Sequence, residues 1–320
     1  KIFLLLLILS NIVYIHGENE LTFDYMLEKV MVIRKIKKVA VAGGDNLTML
    51  QCCRLAKDKG IADCILIGNA AKTKKVAKDA NIDISDFELI DVQTEQLIGL
   101  KTVQLVRSGD ADIFAKGSLE TSFCLKAIFD NKMGLKKRKY VSGITLFEVP
   151  DSEKILIFTD SHVNPYPTLN EKVTLVKNAV EFAHSIGIKV PKVAAVTANH
   201  QVNPKLKDTM DAQRLRKMNE IGQIKECIVD GPLSFDGAVN SNLKEYKTQG
   251  KKIKGDADII LFPNLHTANI AYNLMLHVIG AKSGTLLTGT TAPVIFTSRA
   301  GSVEAKFNSL IFNFSSKLSL

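Results

Sequence analysis

From Lys38 onward, short runs rich in β-branched and apolar residues alternate with amphipathic runs of helical period, and this alternation confines the chain to an α/β architecture. Val39 to Ala42 reads as a strand, Leu47 to Lys59 as a helix stopped by Gly60, and Cys64 to Ile67 as the next strand. The pattern repeats with a helix near Ala71 to Asp79, a strand at Phe87 to Ile90 and a helix at Glu95 to Val106. A strand at Asp112 to Ala115 and a helix at Leu119 to Phe129 complete this half. Strands joined through helices need crossover connections, so the expectation is a mainly parallel sheet covered on both faces.

A break follows at the basic, turn-like stretch Gly134 to Lys139. Two consecutive strand-like runs, Val141 to Phe147 and Ile155 to Phe158, then predict a local antiparallel pair. A long helix, Leu169 to Ile186, opens with a capping box of Thr168 and Glu171 and carries the stripe Val173, Val176, Val180, Ala183. Strands at Val193 to Thr197, Cys227 to Val229, Ile259 to Phe262 and Leu286 to Leu287, with helices between, make a second α/β unit. The boundary is expected near 135 to 140.

Near the C-terminus a short apolar strand, Ala292 to Phe296, runs into Thr297-Ser298-Arg299, and a helix begins. Val303, Phe307, Leu310, Ile311 and Phe314 supply its buried face, Ser302 its N-cap and Glu304 an acid in the first turn. A helix start offers unpaired backbone N–H groups and a positive dipole, so Arg299 beside it suits phosphate binding or thiolate stabilisation. The competing reading is a solvated Arg299 beside a plain cap. Arginine is scarce, with only Arg34, Arg54, Arg107, Arg138, Arg214, Arg216 and Arg299, which sharpens interest in the last because Arg binds phosphate bidentately.

The net charge of +9 comes mostly from scattered lysine clusters without interleaved aromatics, and Trp is absent. That pattern reads as a solvated exterior with some attraction for small anions rather than as a nucleic-acid surface. Cys52, Cys53, Cys64, Cys124 and Cys227 form no C-x-x-C pair and read as small buried apolar residues. Residues 1 to 19 look like a hydrophobic, signal-like leader too short to cross a bilayer, and the chain starts without Met. Two glycosylation-type triplets, at Asn46 and Asn313, fall inside predicted helices and read as chance.

Polar loops collect after three strands of the second half: Thr159 to Asn164, Asn199 to Pro204, and Asp230 to Asp236. Ligands of open α/β sheets bind at strand ends, although turns and helix caps use the same residues. No Gly-x-Gly-x-x-Gly follows the first strand, where only Ala42-Gly43-Gly44-Asp45 occurs, and Gly280 to Ser283 lacks phosphate-loop spacing. There is no His-Glu-x-x-His and no Gly-x-Ser-x-Gly.

Taken together, Ala111-Asp112-Ile113 with Lys116-Gly117, Thr159-Asp160 with Val163-Asn164, Val202 to Lys205, Met210-Asp211-Ala212, Ile228 to Asp236, Gly255 to Asp258, Ala268-Asn269 and Thr297-Ser298-Arg299 resemble the phosphate acetyl/butyryl transferase family, closest to its butyryl branch. The resemblance runs from about Leu21 to Leu310. It implies two three-layer α/β domains with mainly parallel sheets, the first from 20 to 138 plus about 290 to 320 and the second from 139 to 289. The active site would lie in the cleft between them. It also implies reversible transfer of a short acyl group, butyryl or acetyl, between coenzyme A and inorganic phosphate. The partners would be acyl-CoA, phosphate and acyl phosphate, with no permanently bound cofactor, no metal, no nucleic acid and no stable membrane insertion. The assembly would be a homodimer or larger homo-oligomer. Because coenzyme A is intracellular, the cytoplasm is the favoured location, and the leader leaves secretory or organellar targeting open. By the same resemblance Ser298 would orient the thiol and Arg299 would balance phosphate and transition-state charge. Lys116, Lys126, Asp160, Asn164, Asp230 and Asn269 would bind the substrates.

This sequence departs from the family at telling places. Acetyl-transferring relatives carry an Asp soon after the Ser-Arg pair where this chain has Ala305, and butyryl-transferring relatives read Ser-Arg-Ala-Asp where it has Gly301. Lys126 stands in place of an Arg, and His200 and His266 in place of acids. A catalytically weakened acyl-CoA-binding relative is therefore the alternative reading. A metal-dependent decarboxylating dehydrogenase of similar shape is a third, and it lacks the required Asp cluster.

Overall fold

A computed structural model describes residues 21–33, 35–150, 152, 154–243 and 250–315. The leader assigned to residues 1 to 19 lies outside them. The elements run α1 (Phe23–Ile33), β1 (Lys37–Ala42), α2 (Leu47–Asp58), β2 (Ala62–Gly68), α3 (Ala70–Asp79), β3 (Glu88–Asp91), α4 (Glu95–Ser108), β4 (Ile113–Lys116) and α5 (Thr121–Phe129). They continue with β5 (Ser142–Glu148), β6 (Ile155–Thr159), α6 (Leu169–Ser185), β7 (Lys192–Val196), α7 (Lys207–Glu220), β8 (Ile228–Leu233), α8 (Phe235–Val239) and β9 (Ile259–Leu261). Last come α9 (Leu265–Leu274), a π turn at Met275–Ile279, β10 (Lys282–Thr288), β11 (Val294–Ile295) and α10 (Val303–Ser315).

All the strands share one eleven-stranded sheet in the order β3-β2-β1-β4-β11-β10-β5-β6-β9-β7-β8. The pairs β11–β10, β10–β5 and β5–β6 are antiparallel and the other neighbours are parallel. The expected hairpin of β5 and β6 is present, pairing Ile144 with Thr159 and Glu148 with Ile155. The C-terminal segment returns across the sheet: β11 lies beside β4, and α10 packs on α1, α2 and β10.

Alternation along the strands builds three layers. Val39 and Val41 face a core shared with Met26 of α1, Leu50 of α2, Val176 of α6 and Leu310 of α10. Ala40 and Ala42 face the opposite side, against Val103 of α4 and Ile128 of α5. Farther along the sheet Phe158 and Ile260 pack with Ala238 of α8 and Ala268 of α9. Cys52, Cys53, Cys64 and Cys124 are buried and Cys227 is half-buried, all as free thiols.

Three expectations need correction, and one helix was not expected. The segment from Asp230 is not a loop, because β8 continues to Leu233; as the edge strand beside β7, with an irregular register, it tolerates Gly231-Pro232 where an inner strand would not. The strand at Leu286 and Leu287 extends back to Lys282, and its polar start hid the Gly284 position, where a Cβ would meet the Phe312 ring at 2.4 Å. Asn46 is not inside a helix but is the N-cap of α2, accepting from the Met49 N–H at 2.9 Å. Helix α1 was not anticipated, although Phe23, Met26 and Val30 are its buried face.

Candidate active site

A cavity of about 750 Å³ opens where β4, β6 and β11 end against α9. Its walls include Lys116, His162, Asn269, Thr297, Ser298 and Arg299. Four elements bring them there, β4, β6, α9 and β11, and the local chemistry explains how.

Lys116 ends β4 at 2% exposure. The chain turns immediately afterwards because Gly117 lies against the β1–α2 loop so closely that a Cβ would sit 2.0 Å from the Gly43 carbonyl oxygen. The Ser118 hydroxyl binds the Asp45 carboxylate and ties the two loops together. Burial pushes the Lys116 ammonium below its ordinary range, opposed by the Cys124 thiol and reinforced by Arg299. No hydrogen bond or ion pair joins Lys116 or the Arg299 guanidinium to a carboxylate among the described residues. Two cations thus line one cavity with no Asp or Glu in its wall.

The β6 end is organised by Asp160, 3% exposed, whose two oxygens divide the work. Oδ1 accepts the N–H groups of Gly143 at 2.9 Å, His162 at 3.0 Å and Val163 at 3.2 Å. Oδ2 accepts the Asn164 N–H at 3.1 Å and the Asn164 side-chain amide, which also donates to the Val141 carbonyl at 2.9 Å. Burial raises the Asp160 carboxyl above its usual range and these hydrogen bonds pull it down. Asp160 and Asn164 are therefore committed to shaping the loop that carries Ser161 and His162 into the cavity wall.

His162 stands edge-on to Tyr272 at 5.0 Å and Phe296 at 6.4 Å, with Nδ1 2.8 Å from the Ser161 hydroxyl. Gly143 makes room for it, since a Cβ there would be 2.9 Å from His162 Cβ. Burial lowers its pKa to about 4, so the ring is neutral at working pH. Asn269 on α9 reaches the Ser161 carbonyl at 3.4 Å and accepts from Asn273.

At the end of β11 the buried Thr297 hydroxyl lacks a hydrogen-bond partner among the described residues. A buried, unsatisfied hydroxyl is costly unless a ligand completes it. The exposed Ser298 and Arg299 follow, and Ser302 caps α10 by accepting from the Ala305 N–H at 3.1 Å. Asn46 also crosses from the first half to donate to the Arg299 carbonyl at 3.1 Å.

Of the sequence-derived site residues, Ser298, Arg299, Lys116 and Asn269 meet in this cavity, and Asp160 and Asn164 support its wall. Lys126 and Asp230 do not join it. Lys126 is exposed on the last turn of α5. Asp230 is fully buried in the edge strand, accepting the Ile253 N–H at 3.2 Å and facing Arg216 at 3.5 Å beneath a separate cavity lined by His200, Arg216 and Lys251. His162 and Thr297 lie in the polar loop and in the Thr297-Ser298-Arg299 motif that the sequence singles out, but neither was assigned to the site, and Asn46 and Lys306 behind them were not expected there. For Lys306 the local signal is a Lys on the apolar face of α10, one residue before Phe307. Among the described residues no group of three or more His, Cys, Asp or Glu is placed to hold a metal ion. No described helix is long and apolar enough to cross a membrane.

A sequence model for phosphate acetyl/butaryl transferase matches residues 22–99 and 96–313. The chain is 39% identical over 289 residues to a phosphate butyryltransferase of Clostridium acetobutylicum, covering 90% of this chain and 96% of that one. It is 34% identical over 286 residues to a phosphate acetyltransferase of Thermotoga maritima, covering 89% and 97%. Among solved structures it is similar to a branched-chain phosphotransacylase from Enterococcus faecalis, with TM-score 0.77, 29% identity and coverage of 88% and 99%.

Proposed function

The chain belongs to the phosphate acetyl/butaryl transferase family, and from that membership we propose that it transfers a short acyl group reversibly between coenzyme A and inorganic phosphate. The observation that carries this reading to the site is the pair of cations, Lys116 and Arg299, facing one cavity without a carboxylate, next to the unpartnered Thr297 hydroxyl. Such a wall attracts a dianion and suits a developing oxyanion.

In the direction that consumes acyl phosphate the thiol gives up its proton to solvent beside two cations, which favour the thiolate. The sulfur attacks the acyl carbon, a C–S bond forms, and the carbonyl oxygen takes up negative charge. The Thr297 and Ser298 hydroxyls are the nearby neutral donors for that oxygen and for orienting the sulfur. The C–O bond to phosphate then breaks, its electron pair leaves with the phosphate, which takes up a proton from solvent in place of the one the thiol released, and Lys116 and Arg299 balance the charge. Neutral His162 adds no competing cation, and with Tyr272 and Phe296 it gives an aromatic wall for a short acyl chain. Asn269 and the Asp160–Asn164 loop hold that wall. The domain division at 138/139, the return of residues 290 to 320, a homo-oligomeric assembly and a cytoplasmic location belong to the same reading.

The test is release of free thiol from butyryl-CoA and phosphate, followed with a thiol reagent. Turnover is expected, with Arg299→Met lowering kcat/KM by about a hundredfold or more, the scale for removing one preorganised charge-stabilising donor. Folded protein with no turnover, or turnover indifferent to Arg299→Met, overturns the reading.

A further inference from the structure

Lys306, on α10, is 0% exposed, and its ammonium ends inside the turn that carries Ser298 and Arg299. Its Nζ lies 2.7 Å from the Gly301 carbonyl oxygen, 3.1 Å from that of Ser298 and 3.4 Å from that of Arg299. The fourth neighbour is the Thr48 hydroxyl at 2.8 Å, in the first turn of α2. A buried lysine without a carboxylate partner is unusual, because desolvation of the charge is compensated only by dipoles. Here four oxygens surround three N–H donors, and three of the oxygens belong to the very turn that presents the site.

We propose that Lys306 is a positioning residue whose ammonium, by gathering the carbonyls of Ser298, Arg299 and Gly301, holds the Ser298–Arg299 turn in its substrate-binding shape. It rests on the acyl-transfer reading of the cavity, but names a residue outside the cavity wall. Lys306 is not a base: its donors are committed, and a neutral amine would turn a lone pair toward carbonyl oxygens and loosen the turn. The titratable groups acting on it are Cys52 of α2 and Lys116 at the end of β4. Burial pushes the Cys52 thiol far above its ordinary value, so it is neutral. Burial, with Lys116 adding to it, lowers Lys306 to about 8. The ammonium form, and with it the ordered turn, is therefore present below that pH and is lost as pH rises through it.

Gly301 supplies an independent handle. A Cβ built there stands 3.5 Å from Lys306 Nζ and 3.1 Å from the Ser298 carbonyl oxygen. An aspartate at this position would bring a carboxylate to the ammonium and raise its pKa.

Activity is to be measured from acyl-CoA and phosphate between pH 6.5 and 9.5, so that no substrate thiol titrates, on protein shown folded by circular dichroism. The wild type should lose activity through about pH 8. Lys306→Met should lower kcat about a hundredfold at pH 7, the cost of a displacement on the order of 1 Å, with a much smaller change in KM for acyl-CoA and no alkaline limb. Gly301→Asp should move the wild-type limb to higher pH. A Lys306→Met enzyme within threefold of wild type, or one keeping the same alkaline limb, overturns the proposal. If that variant does not fold, an unmoved limb in Gly301→Asp overturns it instead. Amide resonances of Ser298 to Gly301 that titrate with Lys306 support the tie even if the wild type shows no turnover, in which case the acyl-transfer reading fails and the tie stands. Resonances that do not move refute the tie alone.

Discussion

Replacing Asp160 with Asn isolates the device that builds one side of the cavity. The substitution keeps shape and leaves Oδ1 able to accept from Gly143, His162 and Val163, at 2.9, 3.0 and 3.2 Å. At the other position an amide NH2 replaces an oxygen, and it faces two donors, the Asn164 N–H and the Asn164 side-chain amide. Two buried donors then lose their acceptor at about 1–3 kcal/mol each. Burial disfavours the Asp160 charge and pushes its pKa up, so removing that charge offsets part of the loss. The net expectation is about 3 kcal/mol of destabilisation. Urea unfolding at constant m-value measures it, and a cycle with Asn164→Ala should show coupling of about 1–2 kcal/mol, since the alanine removes one of the two clashing donors. A loss under about 0.5 kcal/mol, or strict additivity with Asn164→Ala, would refute the view that this carboxylate organises the loop.

Gly117→Ala forces a methyl against the Gly43 carbonyl oxygen, 2.0 Å from its ideal position, so the β1–α2 and β4–α5 loops must part; about 2–3 kcal/mol of stability should be lost and phosphorolysis should fall at least tenfold through displaced Lys116, measured by urea unfolding and thiol release. Glu171 caps α6 and its carboxyl is held below its ordinary range by the Thr168 N–H first and the Thr168 hydroxyl second. Its contribution is complete above the unfolded carboxylate pKa and disappears as pH falls through the lower folded value, so Glu171→Ala should melt below wild type at pH 7 and match it in strong acid.

Much of the architecture was legible in sequence because burial in a two-sided sheet writes itself locally. Val39 to Ala42 and Ile155 to Phe158 are continuous apolar runs, and the Thr168–Glu171 box marks its helix start within four residues. Where polar residues occupy strands the signal fails. Asp230-Gly231-Pro232 read as a turn, yet it is an edge strand whose carboxylate is satisfied by the Ile253 N–H and by Arg216, partners more than a dozen residues away. Likewise Lys282-Ser283-Gly284 carries little apolar side chain to mark a strand, because Phe312 of α10 fills the space above Gly284.

The site divides in the same way. The sequence by itself determined the βα alternation, the junction at which Ser298 and Arg299 precede a helix, and, through the ordered set of polar strand ends, the family. All of these are recorded in neighbouring residues or in their order. Only the tertiary structure decided which of those residues meet. It brought Lys116, Asn269, Ser298 and Arg299 to one cavity, left Lys126 and Asp230 outside it, turned Asp160 and Asn164 inward as builders of a loop, and set Asn46 and Lys306 behind the Arg299 turn. The physical reason is distance. Hydrogen bonds and Coulomb forces act over a few ångströms in space, and residues 46, 116, 162 and 299 come within that range only after one sheet has gathered β1, β4, β6 and β11.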